Sequence, residues 1–180
     1  VVLGGLTATC FHSEIVRDFR FIDAVIRGEA EKPFLLLLDK VKSREKFCEV
    51  PNLTYLENNT VHVNPLMRPC ENLDEYEFTP IDLLEFKDQY MGVNLVGGRI
   101  SEDEYVQSLR RWQLPLSRGC LYNCVTCGGS AYSYETLFGR KKPAVRSPKR
   151  IVEDLQKLRE KGIDNVFLFQ DPRILGKRYF

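Results

Sequence analysis

Cys120, Cys124 and Cys127 stand within eight residues, in a glycine-containing loop directly after the strand-like run Trp112 to Leu116. A loop that short cannot bury three separate thiols as core side chains, so the three have to share one surroundings. The sequence after the loop narrows the fold further. Ser147 with Pro148 signals a helix start, Ile151, Leu155 and Leu158 line one face of that helix, and Gly162 ends it. Glu153 and Lys157 stand four apart on it, the spacing of an ion pair along a helix. Ile163 to Phe169 reads as a second strand running into Gln170-Asp171-Pro172. Strand, long loop, helix and strand make one βαβ unit with parallel strands.

The first 45 residues have the same texture. Val1-Val2-Leu3 is a short apolar run ended by Gly4-Gly5, and Ser13 can cap a helix carrying Ile15, Val16 and Phe19. Phe21 to Ile26 is the next strand, closed by Gly28, and a second helix starts near Glu31 with Pro33 in its first turn. Short strands alternating with helices indicate a parallel α/β sheet with helices on its faces. Between them, Leu53 to Leu56 and Thr60 to Val63 flank Glu57-Asn58-Asn59, a hairpin signal because Asn tolerates positive φ. Pro65, Pro69 and Pro80 punctuate the acidic stretch Glu71 to Glu77, which reads as a connector. The expected organisation is an α/β segment over 1–45, a connector with a hairpin over 46–110, and a second α/β segment over 111–180. The chain opens inside one strand and stops soon after another, so it is expected to be an internal segment of a longer protein.

Composition excludes several classes. Of 180 residues, 43% are hydrophobic and 28% charged, as in ordinary globular proteins. A net charge of +1 leaves no electrostatic footprint for nucleic acid and no polybasic membrane patch. The longest strongly apolar run, Phe34 to Leu38, is too short to cross a bilayer, and no secretory signal opens the chain. A cytoplasmic location follows as the expectation, and with it reduced thiols.

The remaining cysteines, Cys10, Cys48 and Cys70, are scattered singly. Thiolates crowded on one loop need neutralising, which a soft metal centre does. A structural zinc site wants four ligands, and the fourth would have to come from Cys48, Cys70, His12 or His62, none at ligand spacing. An iron–sulfur cube held by three cysteines leaves one iron without a protein ligand, a position open to substrate or cofactor.

The run Arg118-Gly119-Cys120-Leu121-Tyr122-Asn123-Cys124-Val125-Thr126-Cys127 resembles the cluster loop of the radical S-adenosylmethionine (radical SAM) superfamily. Its place after the first strand of a partial β/α barrel is similar too. Thr126 departs from the pattern, which usually has an aromatic residue before the third cysteine, packed near the adenine. A second resemblance covers Val1 to Thr9 and Asp23 to Glu31, which look like the end of a cobalamin-binding-type, Rossmann-like domain. In the cobalamin-dependent subgroup that domain precedes the barrel, through a connector with a Pro-x-Leu hairpin to which Pro51-Asn52-Leu53 is similar.

These resemblances imply cofactors and residues. Cys120, Cys124 and Cys127 would each ligate one iron of a 4Fe–4S cluster, with S-adenosylmethionine chelating the fourth. An electron donor of flavodoxin or ferredoxin type would reduce the cluster. Cleavage of the sulfonium would then give a 5′-deoxyadenosyl radical that abstracts hydrogen from a small-molecule or still unknown substrate. Gly128 and Gly129 would either approach S-adenosylmethionine backbone to backbone or form a plain flexible turn. Gln170 and Asp171 would stand where the family often has Gly-Gly-Glu against the methionine amino group. Gly4, Gly5 and Gly28 would border cobalamin, outside the carboxyl ends of the strands. Cobalamin is an optional third cofactor, because members of the subgroup keep the fold without it, and any cobalt-ligating His motif would belong to strands preceding Val1. The competing expectations are a non-catalytic zinc- or iron–sulfur-binding module and an inactive truncated segment.

Other residues carry two readings each. Arg118 either offsets cluster charge or faces water, and Arg140-Lys141-Lys142 with Arg146, Lys149 and Arg150 reads as a solvated basic face or an anion attractor. His12 and His62 are expected at the surface or in the hairpin. Tyr132, Tyr134 and Phe138 either cover the site or pack in the core.

Overall fold

The computed structural model of the chain describes residues 1–86, 111–168, 170, 176 and 179. Two compact units make up the chain. One joins Val1–Cys70 with Gly119–Pro143; the other joins Glu71–Arg118 with Ala144–Phe180.

In the first unit, β1 (Val2–Leu3) pairs in parallel with β2 (Ala24–Ile26), Val2 opposite Ala24 and Leu3 opposite Val25. Helices α1 (Leu6–Cys10) and α2 (His12–Asp18) connect them. β2 is shorter than the Phe21-to-Ile26 run: Phe21 is exposed and stacks edge-on against Phe19. Helix α3 (Glu31–Ser43) follows with Pro33 in its first turn, where a missing N–H costs nothing. The hairpin strands β3 (Leu53–Glu57) and β4 (Thr60–Val63) then extend the same sheet, β3 pairing antiparallel with β2. Asn58 and Asn59 both have positive φ (48° and 63°), the requirement of a two-residue type I′ turn.

Alternation along β2 divides the core. Ala24 and Ile26 pack with Leu37 of α3 and with Val50, Leu53 and Tyr55. Val25 packs on the opposite face with Ala8, Val16 and Ile22. The sheet therefore lies between α3 on one side and α1 and α2 on the other, an α/β arrangement. His12 joins helix to sheet: its Nδ1 lies 3.0 Å from both Thr54 Oγ1 and Ser13 Oγ. Burial, reinforced by the Arg27 cation, pushes its pKa below the ordinary imidazole value. His62 stacks on Tyr55 in the hairpin, with ring centres 5.1 Å apart. Helix α4 (Ala131–Phe138) completes this unit.

In the second unit, β5 (Arg111–Leu114) and β8 (Asn165–Leu168) pair in parallel, Leu114 opposite Leu168. β6 (Ser117–Arg118) and β7 (Ala144–Val145) form a short antiparallel pair. Helix α5 (Pro148–Glu160) starts at Ser147, whose Oγ accepts the Arg150 N–H at 3.2 Å, with Pro148 at the first helical position. Ile151 and Leu158 are buried and pack with Leu114, Leu116 and Ile163. Lys157 reaches Glu77 at 3.1 Å and Glu153 takes Arg150, one turn earlier on the same helix, at 3.3 Å, so these partners replace the expected Glu153–Lys157 pair. Arg146 is fully buried: it pairs with Asp154, donates to the Pro115 carbonyl and lies 4.4 Å over the Phe78 ring. Among the described residues no helix is long and apolar enough to cross a membrane. Asp171 and residues 87–110 of the expected connector lie outside the described residues.

Candidate functional site: the cysteine loop

The loop is shaped by its first residue after β6. Gly119 has φ +102°, and a Cβ there would stand 2.9 Å from the Pro143 Cα, so only glycine fits where the two ends of the excursion meet. The chain then makes two successive turns: Cys127 N–H donates to the Cys124 carbonyl at 3.1 Å, and Ser130 N–H donates to the Cys127 carbonyl at 3.2 Å. Tyr122 N–H points at Cys120 Sγ, 3.4 Å away.

The start of α4 holds this shape in place. A helix N-terminus carries unpaired backbone donors, and the loop supplies acceptors for three of them. Ala131 N–H donates to the Tyr122 carbonyl at 2.8 Å, Tyr132 N–H to Asn123 Oδ1 at 2.7 Å, and Ser133 N–H to Ser130 Oγ at 3.2 Å. Asn123, directly before Cys124, is a positioning residue that the cysteine spacing does not reveal. Side-chain capping by Asn is legible locally, but here it acts nine residues ahead of its target, beyond any helix-start pattern.

The loop and α4 lie on the carboxyl ends of the first unit's sheet. Gly5, with φ +92°, caps α1 just after β1, and Gly4 approaches the Ile26 carbonyl. A Cβ on Gly128 would stand 2.6 Å from Leu6 Cδ2, and one on Gly28 would stand 3.5 Å from the Phe138 Cα. Gly28, with φ +67°, also donates its N–H to Thr9 Oγ1 at 3.1 Å. Gly4, Gly5, Gly28 and Gly128 are thus neighbours at one end of the sheet, while Gly129 sits in ordinary contact distance of Cys127 Sγ and the Tyr134 ring. Beyond α4, Arg140 is buried against Glu29, and Arg140 also donates to the Cys70 carbonyl at 2.6 Å.

Cys124 and Cys127 line an open hollow of about 570 Å³, together with Asn123, Thr126, Ser130, Tyr132 and Ser133. Cys124 and Cys127 are exposed, Cys120 is half-buried, and all three are thiols. Among the described residues no three His, Cys, Asp or Glu side chains converge as ligands of a single ion. A cube of iron and sulfide makes a looser demand, because each thiolate binds a different corner. By the chemistry of its donors, three accessible soft ligands on one loop, the site fits such a cluster.

Other expected participants have different partners. Arg118 lies over the Tyr76 and Phe78 rings, 5.5 and 5.8 Å from their centres. The basic run is not a continuous solvated face: Arg140 and Arg146 are buried in ion pairs and Arg150 engages Glu77 and Glu153, while Lys141, Lys142 and Lys149 are exposed. Tyr132 is exposed beside the hollow, and Tyr134 packs on Phe138 at 5.2 Å between ring centres. In the second unit, Gln170 Oε1 accepts from the N–H groups of Leu116 and Ser117 at 2.9 and 3.2 Å, clipping β8 to the residues that lead into the loop.

No family model matches the chain. An uncharacterized methyltransferase of Pyrococcus horikoshii is 30% identical over 179 residues, 99% of this chain and 34% of the relative. An anaerobic magnesium-protoporphyrin IX monomethyl ester cyclase of Rubrivivax gelatinosus is 26% identical over 186 residues, 99% of this chain and 29% of the relative. Among solved structures, the radical S-adenosylmethionine methyltransferase TsrM of Kitasatospora setae, with cobalamin and a [4Fe–4S] cluster bound, matches 99% of this chain and 32% of its own. Its TM-score is 0.63 at 16% identity, a likeness of fold. The chain is homologous over nearly its whole length to the methyltransferase and cyclase relatives, and it shares its fold with part of cobalamin-dependent radical SAM structures. It spans about a third of the length of the curated relatives it matches. The α/β fold seen here matches part of the TsrM structure.

Proposed function

We propose that this chain is the cluster-carrying segment of a radical SAM enzyme, with Cys120, Cys124 and Cys127 as the three thiolate ligands of a 4Fe–4S cluster. The observation that carries the reading is the loop itself: three accessible thiols in Cys-x3-Cys-x2-Cys spacing, two of them lining one polar hollow. When bound, such a cluster supplies the electron that cleaves S-adenosylmethionine and generates the 5′-deoxyadenosyl radical.

The chain's own residues would do the positioning. Gly119 lets the loop leave and return at one point, and Asn123 with the Tyr122 carbonyl fixes it on the start of α4. The Tyr122 N–H directed at Cys120 Sγ stabilises a more negative sulfur, one way a protein raises a cluster's potential. Gln170 has spent its acceptor on Leu116 and Ser117, so what it offers a ligand is its Nε2 donor, suited to a carboxylate. The ammonium acceptor in that segment would be Asp171. Gly4, Gly5 and Gly28 would border cobalamin outside the carboxyl ends of β1 and β2, where Gly5 has open space beside it and Gly28 packs against Phe138 of α4.

The test is anaerobic reconstitution with iron and sulfide. About four irons per chain, with thiolate-to-iron absorption, is the expected result. Single Cys→Ala changes at 120, 124 or 127 should each lower iron retention. Stoichiometric zinc, or a Cys124→Ala variant that holds as much iron as the parent, would overturn the reading. In the full-length protein, 5′-deoxyadenosine formation after reduction tests catalysis.

A further inference from the structure

The turn geometry distinguishes the three thiols from one another. Cys124 and Cys127 are the first and last residues of a hydrogen-bonded turn, Cys127 N–H to the Cys124 carbonyl at 3.1 Å. Such a turn holds its end Cα atoms within about 7 Å. A disulfide spans Cα atoms about 4.4–6.8 Å apart, so the ends of this turn fall within the backbone separation a bridge can close. Both side chains are exposed and border the same hollow. Cys120 is half-buried, precedes the turn, and has its Sγ facing the Tyr122 N–H.

We infer that the metal-free loop is a dithiol–disulfide couple, in which Cys124 and Cys127 bridge and Cys120 stays a thiol. The oxidant is a low-molecular-weight disulfide such as oxidised glutathione. Cys124 sulfur attacks one glutathione sulfur and displaces a first reduced glutathione, leaving a mixed disulfide. Cys127 sulfur attacks Cys124 Sγ and displaces the second. Two cysteine thiols lose two electrons and two protons in all, and one glutathione disulfide becomes two glutathione thiols. The consequence rests on the cluster reading above: the bridge occupies two of the three ligands, so loading requires prior two-electron reduction.

The experiment equilibrates the whole metal-free chain with excess oxidised glutathione under anaerobic conditions, then alkylates and maps cysteines by peptide mass spectrometry. The expected product has a Cys124–Cys127 bridge and an alkylated Cys120. Cys120→Ser should still form the bridge, and Cys127→Ser should leave glutathione on Cys124. A bridge that includes Cys120, or Cys124 and Cys127 each carrying glutathione without bridging, overturns the couple. Iron uptake should be lost in the oxidised chain and restored by dithiothreitol; uptake unchanged by the bridge overturns its role in loading. If the fully reduced chain takes up no iron at all, the cluster reading fails, and the disulfide map still decides the couple by itself.

Discussion

Glu29 and Arg140 lie 111 residues apart and form a buried ion pair, the Arg140 Nε donating to Glu29 Oε1 at 2.8 Å. Cys70 is tied to both, its N–H donating to Glu29 and its carbonyl accepting from Arg140. This knot anchors the far arm of the cysteine loop beside the Gly28 turn. A buried pair adds little net stability when compared with apolar residues of the same shape, but removing one partner strands the other charge.

Replacing Arg140 with Met should therefore destabilise the chain by about 3–5 kcal/mol. Urea unfolding of Arg140→Met, Glu29→Gln and the double variant measures it. The double variant should lose clearly less than the sum of the singles; strict additivity would show that the two side chains act separately.

Gly119 and Gly128 should respond differently to alanine. At Gly119 the positive φ and the Pro143 backbone at 2.9 Å leave no room, and Gly119→Ala should cost about 1–3 kcal/mol and lower iron retention in reconstitution. At Gly128 the obstacle is the tip of the flexible Leu6 side chain, so Gly128→Ala should fold with a small shift in Tm.

Asn123→Ala removes the acceptor for Tyr132 N–H and should cost about 0.5–2 kcal/mol, the usual range for a lost helix cap. Its effect should be local. Hydrogen exchange at Tyr132 should accelerate while amides of the second unit, such as Val166 in β8, stay protected.

Glu77 sets an acid-dependent contribution. The Thr79 hydroxyl, then Lys157 and the Thr79 N–H, hold its carboxyl down to about 2, from an ordinary 4.5. Because the folded value is depressed, this stability is present above about pH 4.5 and is lost as pH falls toward 2. The side chain is partly exposed, so solvent screening limits the effect to about 1 kcal/mol. Urea midpoints measured from pH 6 to pH 2.5 should fall less steeply in Glu77→Gln than in the parent.

Elements governed by neighbouring residues are legible in the sequence alone. The Ser147-Pro148 helix start, the turn at Asn58-Asn59 and the cysteine spacing rest on local backbone preferences, and each appears where its residues place it. The hairpin's membership in the β1–β2 sheet is not legible there, because strand partners are chosen by burial of whole faces and not by the strand's own residues. The basic run shows the same limit. Taken by their neighbours, Arg140 and Arg146 look like surface cations; burial and distant carboxylates at Glu29 and Asp154 make them interior.

The order of residues by itself determined what this loop offers: three thiols within eight residues, with glycine where the backbone has to double back. Only the tertiary structure decided where that loop stands, on the carboxyl ends of β1 and β2 against Leu6 and Gly28. The physical reason is range. Turn and capping preferences act over a few residues, whereas the position of the loop is set by contacts between segments more than a hundred residues apart, and no local pattern encodes those.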